Sequence, residues 1–432
     1  MPKDKEHLNL VIIGHIDHGK STMMGCMLIK TGAISDREAR DLEKLAKEYD
    51  RESWSYAYVF DRLKEERQRG ITIDLAFRKF ETQSKYFTII DAPGHADFVK
   101  NMITGASQAD AAILVVSGKK GEMEVGIAAN GQTREHAFLA NTLGVKQLVV
   151  AINKVDVWNY EEDRFNECKD AVSDLLKIVG FDVKKIQFVP TSGMTGDNLA
   201  EKSDKLGWYK GPTLLEAIDA FEIPEKPTNK PLRLPIQDAY KIKGTGVVPV
   251  GRVETGVLKK GDKIIIQPTG FKGEIRSIEM HHEEIDQAEP GDNIGFSIRG
   301  IEMKDVGRGD CLGHPNDPPT VIAPSGNWSG QIIVIWHPTA LAQGYTPVIH
   351  AHTTQIAARF TELNKKLDPK TGSVIEDNPK FIKKNDMAMV TLQPIKKICI
   401  EKYAEIPEMG RFAVRDMGRT VAVGVVKDIK AE

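Results

Sequence analysis

The segment from Gly14 to Ser21 has the residue types and spacing of a loop that holds phosphate groups. It reads GHIDHGKS and fits the pattern GxxxxGK[ST]. In such a loop, backbone N–H groups and the N-terminus of the following helix face the phosphate oxygens. We expect Lys20 to neutralise the terminal phosphates and the Ser21 hydroxyl to bind Mg²⁺. The segment predicts a nucleoside-triphosphate site with a divalent cation.

Two further segments are expected to complete the cation site. The sequence DAPG at 91–94 follows an apolar run, so Asp91 can hold Mg²⁺ through its water shell while Gly94 lets a backbone N–H approach the terminal phosphate. Thr72 lies between the phosphate loop and Asp91, the place of a switch hydroxyl that binds Mg²⁺ only while the γ-phosphate is present. Each pattern alone is common in ordinary turns and strands. Their order along the chain favours the functional interpretation.

The sequence NKVD at 153–156 predicts which base the site takes. The Asp156 carboxylate can accept hydrogen bonds from the ring N–H and exocyclic amine of guanine, a donor pair that adenine lacks. The sequence TSG at 191–193 supplies backbone N–H groups for the guanine carbonyl. We therefore predict GTP and GDP, with Mg²⁺, as the ligands. The predicted nucleotide contacts are Gly14, His15, Ile16, Asp17, His18, Gly19, Lys20, Ser21, Thr22, Asp91, Gly94, Asn153, Lys154, Asp156, Ser192, Gly193 and Met194.

These motifs follow short apolar runs that alternate with amphipathic stretches over residues 8–223. Strand–helix alternation at this spacing predicts an α/β P-loop domain with a mostly parallel, doubly wound sheet. The charged stretch 37–69 is expected to be a solvated helix. The predicted strands are 8–13, 87–90, 111–116, 148–152 and 186–189, and the predicted helices are 21–30, 134–143 and 164–179.

Beyond residue 223 the pattern changes. Prolines at 224, 227, 231 and 235 predict an extended linker, and short alternating strands with glycine turns follow at 246–253, 256–266, 273–280 and 293–298. A second proline cluster, at 315–324, precedes short strands at 331–336, 347–352, 387–392 and 411–414. We predict a P-loop GTPase domain at 1–223 followed by two all-β barrel domains at 224–326 and 327–432.

Composition limits the class of protein. The 432 residues carry a net charge of −2, which divides into −5, −1 and +4 over the three predicted domains, so RNA phosphates are expected on the third. The apolar runs are too short to span a bilayer, and no signal segment is expected at the start. Four cysteines without a CxxC pair argue against a Cys-rich zinc site or a secreted disulfide framework. A cytoplasmic protein without membrane association is expected.

Six longer segments carry a family resemblance. They read GHIDHGKST, RGITID, DAPGHADFVKNMITGASQAD, NGQTREHAFLANTLGVKQLVVAINKVD, SDKLGWYKGPTLLEAID and GRFAVRDMGRTVAVGVVK. Together they resemble the elongation factor Tu/1-alpha family of translational GTPases in its archaeal form, over essentially the whole chain. The resemblance implies a protein that binds aminoacyl-tRNA in its GTP form, delivers it to the ribosomal A site and hydrolyses GTP to GDP and phosphate on codon recognition. A guanine-nucleotide exchange factor and a monomeric state are also implied.

The resemblance assigns roles that the residues alone do not. His95 matches the residue that positions the attacking water, and Ile16 and Ile71 match the apolar pair beside it. On its own, His95 is an ordinary turn histidine. The aminoacyl end of the tRNA is expected near 280–282 and Asn293. The predicted catalytic residues are His95, Thr72, Asp91 and Lys20.

Three alternatives share parts of this pattern. A related GTPase carries a release or rescue protein that mimics tRNA. The GTPase subunit of a sulfate-activating enzyme has the same three-part layout but needs a dedicated catalytic partner. A structural binder that does not hydrolyse GTP is the third alternative, and no feature of the sequence requires it.

Overall fold

The computed structural model describes residues 5–48, 55–60, 64–69, 72, 74–128, 131–280, 283–369 and 371–431. The chain divides into two compact units, Met1–Pro224 and Glu225–Glu432. The first is an α/β unit and the second consists of two β-barrels. The predicted fold class is confirmed.

The α/β unit is built on one twisted sheet with the strand order β2-β3-β1-β4-β5-β6. All neighbouring strands in it are parallel except β2 and β3, which are antiparallel. The strands are β1 (Glu6–Gly14), β2 (Ala76–Glu81), β3 (Lys85–Asp91), β4 (Ala111–Ser117), β5 (Gln147–Asn153) and β6 (Gln187–Pro190). The helices are α1 (Lys20–Lys30), α2 (Asp36–Glu48), α3 (Lys64–Arg69), α4 (Val99–Ser107), α5 (Glu122–Ile127), α6 (Gln132–Leu143), α7 (Glu162–Val179) and α8 (Leu214–Asp219).

The centre of this sheet is apolar because both of its faces are covered. Every residue of β4 is buried, and Leu10 and Ile12 of β1 have no exposed surface. Strands buried on both faces appear in the sequence as continuous apolar runs, which is why the five parallel strands could be predicted. Each fully buried Leu or Ile side chain contributes about 1.5–3 kcal/mol. The core therefore holds the carboxyl ends of the strands in fixed positions, and the motifs follow those ends.

Two expectations for this unit need correction. The edge strand β2 was not predicted, because its sequence AFRKFE mixes charged and apolar residues on a half-buried edge. The stretch 37–69 was expected to be a single helix. Instead, it contains α2, a short 3₁₀ helix at Ala57–Val59 and α3, with residues 49–54 and 61–63 outside the described part.

The second unit contains two closed barrels. The first barrel has the strand order β10-β15-β7-β8-β14-β11 and closes by pairing of β10 with β11, with β12 added beyond β11. Its strands and the two short ones beside them are β7 (Leu234–Ile242), β8 (Gly246–Arg252), β9 (Leu258–Lys259), β10 (Lys263–Gln267), β11 (Phe271–Met280), β12 (Glu283–Ile285), β13 (Gln287–Ala288), β14 (Asn293–Ile298) and β15 (Cys311–Gly313).

The second barrel has the strand order β19-β25-β26-β17-β23-β20 and closes by pairing of β19 with β20, with β21 added beyond β20. Burial alternates along β17 and β23, as expected for strands with one face in a core. The remaining strands of the chain are β16 (Val321–Ile322), β17 (Asn327–Val334), β18 (Leu341–Ala342), β19 (Val348–Ala351), β20 (Thr354–Leu367), β21 (Val374–Asp377), β22 (Phe381–Ile382), β23 (Met387–Pro394), β24 (Ile398–Cys399), β25 (Arg411–Asp416) and β26 (Arg419–Lys430).

Two predictions for the barrels, one at a proline and one at a glycine, were wrong. Pro235 was expected in a linker but lies in β7, opposite Cys311 of β15. A proline is tolerated there because it is near the start of the strand. The run 256–266 was expected to be one strand, but a turn at Gly261 (φ 87°) divides it into β9 and β10.

A buried ion pair joins the two barrels. Arg233 and Glu401 are 3% and 5% exposed, and Arg233 Nε donates to Glu401 Oε1 at 2.5 Å. Thr320 Oγ1 donates to the other carboxylate oxygen at 2.6 Å, and the Arg233 guanidinium also reaches Asp317. Breaking a buried pair leaves a charge without compensation in a low-dielectric environment.

Replacing Glu401 with Ala should therefore lower the free energy of unfolding of the barrel unit by about 3–5 kcal/mol. The urea midpoint of the barrel transition, followed by tryptophan fluorescence, measures the change. Lys402→Ala is the control, because it removes an ion pair with Asp428 that is exposed at the surface. A Glu401 variant with the midpoint of the unchanged protein would show that the pair does not stabilise the unit.

Candidate nucleotide-binding site

A cleft of about 310 Å³ lies at the carboxyl edge of the α/β sheet. Its walls come from the loops after β1, β3, β5 and β6, together with α1 and the segment around residue 57. Crevices at this edge are where open α/β sheets bind ligands. The lining residues are Ile16, Asp17, Gly19, Lys20, Ser21, Thr22, Ala57, Thr72, Gly94, His95, Asn153, Lys154, Asp156, Val157, Gly193 and Met194.

The phosphate loop leads directly from β1 into α1. Helix α1 begins at Lys20, and its N-cap residue Gly19 offers no side chain to the first N–H groups. These groups and the positive end of the helix dipole therefore remain available to an anion. The Lys20 ammonium donates to the His15 carbonyl at 3.0 Å and is 7% exposed. Burial lowers the pKa of Lys20 to about 8, against the opposing effect of Asp91 and Asp17. A bound phosphate would favour the charged ammonium.

Two hydroxyl groups and a carboxylate meet beside this lysine. Ser21 Oγ donates to Asp91 Oδ2 at 2.6 Å and lies 3.2 Å from Thr72 Oγ1. Within the described residues, Asp91 Oδ1 is buried without a hydrogen-bond partner. Burial raises the pKa of Asp91 to about 6, although the Ser21 hydrogen bond and the Lys20 charge act in the opposite direction. Oxygen ligands of this kind suit Mg²⁺, so the residues present fit that ion.

The base side of the cleft is organised by Asn153. Its Oδ1 accepts from the Gly193 backbone N–H at 3.0 Å, and its Nδ2 donates to the His18 carbonyl at 2.9 Å. One side chain thus joins the loops after β1, β5 and β6. Asp156 lines the same side, and its Oδ1 has no hydrogen-bond partner among the described residues although it is buried. A buried, unpaired carboxylate oxygen is costly unless a ligand supplies the donor. The amide and amine of guanine are such donors.

His95 lies at the mouth of the cleft, next to Gly94. Its side chain is 37% exposed, and its Nδ1 accepts from the Asp97 backbone N–H at 3.2 Å. A Cβ added at Gly94 would lie 2.3 Å from Lys20 Nζ, 3.0 Å from the Ile16 backbone nitrogen and 3.1 Å from the Gly14 carbonyl oxygen, so a larger residue here would displace the lysine and crowd the phosphate loop. The imidazole is therefore held beside the phosphate end of the cleft.

Most of the predicted site residues line the cleft, and five do not. His18 is buried, with Nε2 3.2 Å from the Glu122 carbonyl oxygen. Ser192 Oγ accepts from the Thr195 backbone N–H, a hydrogen bond within its own loop. The five predicted residues that do not line the cleft are Gly14, His15, His18, Asp91 and Ser192. Ile71, expected beside His95, and 281–282, expected near the aminoacyl end of the tRNA, lie outside the described residues, whereas Asn293 begins β14.

Two lining residues, Ala57 and Val157, were not predicted. Val157 directly follows NKVD, so its position in the lining of the cleft could have been predicted from that motif. Ala57 has no such signal. It reaches the cleft because Gly25 of α1 lets the neighbouring backbone approach: a Cβ added there would lie 1.9 Å from the Tyr56 carbonyl oxygen.

Three family models match the chain. Residues 5–224 match the Elongation factor Tu GTP binding domain, residues 246–313 match Elongation factor Tu domain 2, and residues 328–427 match the GTP-eEF1A C-terminal domain-like family. The first match covers the α/β unit with its cleft. The other two fall on the first and second barrels.

Relatives with similar sequences are named elongation factor 1-alpha. Those from Saccharolobus solfataricus and Sulfurisphaera tokodaii are each 58% identical over 99% of this chain and 98% of their own. Among solved structures, the GTPase-like domain of Ski7 from S. cerevisiae, bound to GTP, has 18% identity over 98% of this chain and 97% of its own, with a TM-score of 0.80. Elongation factor SelB from Methanococcus maripaludis, with a GTP analogue, has 21% identity over 99% of this chain and 80% of its own, with a TM-score of 0.69. These two structures share the fold.

Over the described residues, no helix combines the length and the apolar character needed to cross a bilayer. The family matches confirm the resemblance found in the sequence and show a GTPase domain that binds guanine nucleotides. The chain therefore belongs to the elongation factor 1-alpha family of translational GTPases.

Proposed function

We propose that this GTPase binds aminoacyl-tRNA in its GTP form, delivers it to the ribosomal A site and hydrolyses GTP when the codon is recognised. The observation that carries the proposal is the contact of Thr72 with Ser21, 3.2 Å between their hydroxyl oxygens. It brings Thr72, which lies between α3 and β2, to the phosphate loop. A hydroxyl at this place can respond to loss of the γ-phosphate, and that response is what a carrier needs in order to release its cargo.

In this proposal, different residues of the cleft bind the phosphates, the base, the cation and the attacking water. Lys20 and the N–H groups at the start of α1 bind the phosphates, and Asp156 holds the base. Ser21 and Thr72 would hold Mg²⁺ directly and Asp91 through water, where the ion would neutralise charge on the phosphate oxygens. His95 orients the attacking water. Hydrolysis then depends on positioning and charge stabilisation, and no side chain acts as a covalent nucleophile.

The Mg²⁺ part of the proposal predicts a result for Ser21→Ala. Mg²⁺ should slow GDP release from the unchanged protein, and the concentration needed for half of this effect should rise about 10- to 100-fold in the variant. Release of a fluorescent GDP at increasing Mg²⁺ measures it. Ser107→Ala is the control, since among the described residues that hydroxyl bonds within α4, to the Thr104 carbonyl. Equal Mg²⁺ dependence in the Ser21 variant and the control would remove Ser21 from the cation site.

The barrels are the proposed platform for the tRNA. Residues 327–432 carry a net charge of +4, whereas residues 1–223 carry −5. A basic domain suits the backbone of an A-form RNA stem, which proteins read by shape and phosphate contacts. We place the domain boundaries at 223/224 and 326/327, and we propose a cytoplasmic monomer that uses an exchange factor to replace GDP.

Two alternative functions have some support. A tRNA-mimicking release or rescue protein would use the same switch and the same barrels, so it is a plausible second cargo. A sulfate-activating role has less support, because the C-terminal residues 328–427 match the elongation factor 1-alpha type of domain.

Codon-dependent hydrolysis distinguishes these functions. The protein with GTP and aminoacyl-tRNA is mixed with ribosomes that carry a cognate, a near-cognate or no codon in the A site. A rapid burst of phosphate release with the cognate codon alone supports the proposal. Equal phosphate release in all three mixtures would contradict it.

A further inference from the structure

The Glu122 carboxylate lies where the loops after β4 and β5 meet. Glu122 is the first residue of α5 and belongs to none of the nucleotide motifs. Its Oε2 accepts from Lys154 Nζ at 2.6 Å and from Ser117 Oγ at 2.7 Å. Its Oε1 accepts from Lys119 Nζ at 2.9 Å. Because Ser117 ends β4 and Lys154 follows β5, one side chain ties together two loops at the base side of the cleft.

The backbone of Glu122 also reaches the phosphate loop. Its carbonyl oxygen lies 3.2 Å from His18 Nε2. Burial lowers the pKa of His18 to about 3, with the nearby charges of His15 and Lys20 acting in the same direction. The ring is therefore neutral and carries a single N–H. Its Nδ1 also lies 3.3 Å from the Val115 carbonyl oxygen, so this N–H is donated to one of the two carbonyls. The His18 carbonyl accepts from Asn153 Nδ2, which joins the phosphate loop to the base loop.

Lys154 depends on a partner that holds it in place. Its backbone has φ 66° and ψ 38°, a left-handed conformation that is unfavourable for residues other than glycine. Its side chain lines the cleft and is 24% exposed, so without an ion pair many rotamers would be open to it.

The Glu122 carboxylate is ionised at neutral pH. Partial burial opposes ionisation, but the hydrogen bonds from Lys154, Lys119 and Ser117 outweigh it and lower the pKa of Glu122 to about 2. A charge-assisted hydrogen bond to Lys154 is thus present throughout the physiological range.

We propose that Glu122 is a positioning residue of the guanine-nucleotide site, which fixes Lys154 at the base side of the cleft and thereby sets the rate of nucleotide release. Glu122 is absent from the residues that line the cleft, so it acts through Lys154. The proposal rests on the nucleotide site described above and adds a residue that no motif contains.

The test is the release rate of a fluorescent GDP from Glu122→Gln. The amide keeps the size of the side chain but loses the charge, so release should become about five- to tenfold faster for this partly exposed pair. Single-turnover hydrolysis of bound GTP should change less than about twofold, since Glu122 touches none of the residues assigned to the phosphates except through His18. Lys119→Ala is the matched control. It removes another partner of the same carboxylate, is 52% exposed and does not line the cleft, so release should stay within about twofold of the unchanged rate.

A double-variant cycle shows whether Glu122 acts through Lys154. If it does, Glu122→Gln combined with Lys154→Met should release GDP no faster than Lys154→Met alone. Additive effects would overturn the proposal, and so would a Glu122→Gln release rate within about twofold of the unchanged protein. Glu122→Asp shortens the side chain but keeps its charge, so it should release GDP at an intermediate rate. This variant replaces Glu122→Gln as the test if the glutamine variant does not fold. Failure of the unchanged protein to bind fluorescent GDP would overturn the nucleotide site itself, whereas the other outcomes concern Glu122 alone.

Discussion

Replacing Asp156 with Asn should weaken GTP binding by about 10²- to 10⁴-fold and shift the preference of the protein towards xanthosine nucleotides. In the proposed site the carboxylate accepts two hydrogen bonds from guanine, and each bond to a charged acceptor contributes about 1.5–3 kcal/mol. Its Oδ1 is buried without a partner in the described part of the chain, so the oxygen is already desolvated before the base arrives. Asparagine offers a donor to the xanthine carbonyl that stands where guanine has its amine.

Competition of GTP and of XTP against a fluorescent nucleotide measures this change. Asp170→Asn makes the same chemical change at an exposed position of α7 and should leave both affinities unchanged. Unaltered GTP affinity in the Asp156 variant would remove the guanine assignment from NKVD.

Replacing His95 with Ala should cut ribosome-stimulated GTP hydrolysis by about 10²- to 10⁴-fold, the range for a positioned group that assists proton transfer or orients water. GTP affinity should hardly change, because the imidazole lies at the mouth of the cleft and is 37% exposed. Rapid mixing with programmed ribosomes measures hydrolysis, and equilibrium titration measures affinity.

His95→Gln keeps a group that can hydrogen-bond to water and should retain more hydrolysis than the alanine variant. An alanine variant that turns over at the normal rate would mean that another residue orients the water. A loss of GTP affinity as large as the loss of hydrolysis would place His95 in nucleotide binding instead.

The sequence predicts best what depends on local spacing. The five buried parallel strands are continuous apolar runs, and thirteen of the fourteen predicted residues that line the cleft lie at the ends of those strands or in the segments that follow them, the exception being Thr72. Such segments follow a strand directly, so their position in the fold depends only on the strand that they follow.

What the sequence did not reveal depends on long-range packing. Ala57 lines the cleft because its segment packs on α1 at Gly25, a contact between residues more than thirty positions apart that no periodicity encodes. The edge strand β2 looks polar because one side of it is not covered by another strand. No sequence motif contains Glu122, and its partners Lys154, Lys119 and Ser117 in the structure are what distinguish it.

The spontaneous deacylation of aminoacyl-tRNA tests the proposed carrier function most directly. The ester bond of aminoacyl-tRNA hydrolyses slowly in water, and a protein that covers the aminoacyl end slows this loss. We predict protection by the protein with GTP and Mg²⁺ bound, and little protection with GDP, because the Ser21–Thr72–Asp91 cluster would organise the carrier form only around a γ-phosphate. Equal protection by the GTP and GDP forms would contradict the switch, and no protection by either form would contradict the carrier function itself.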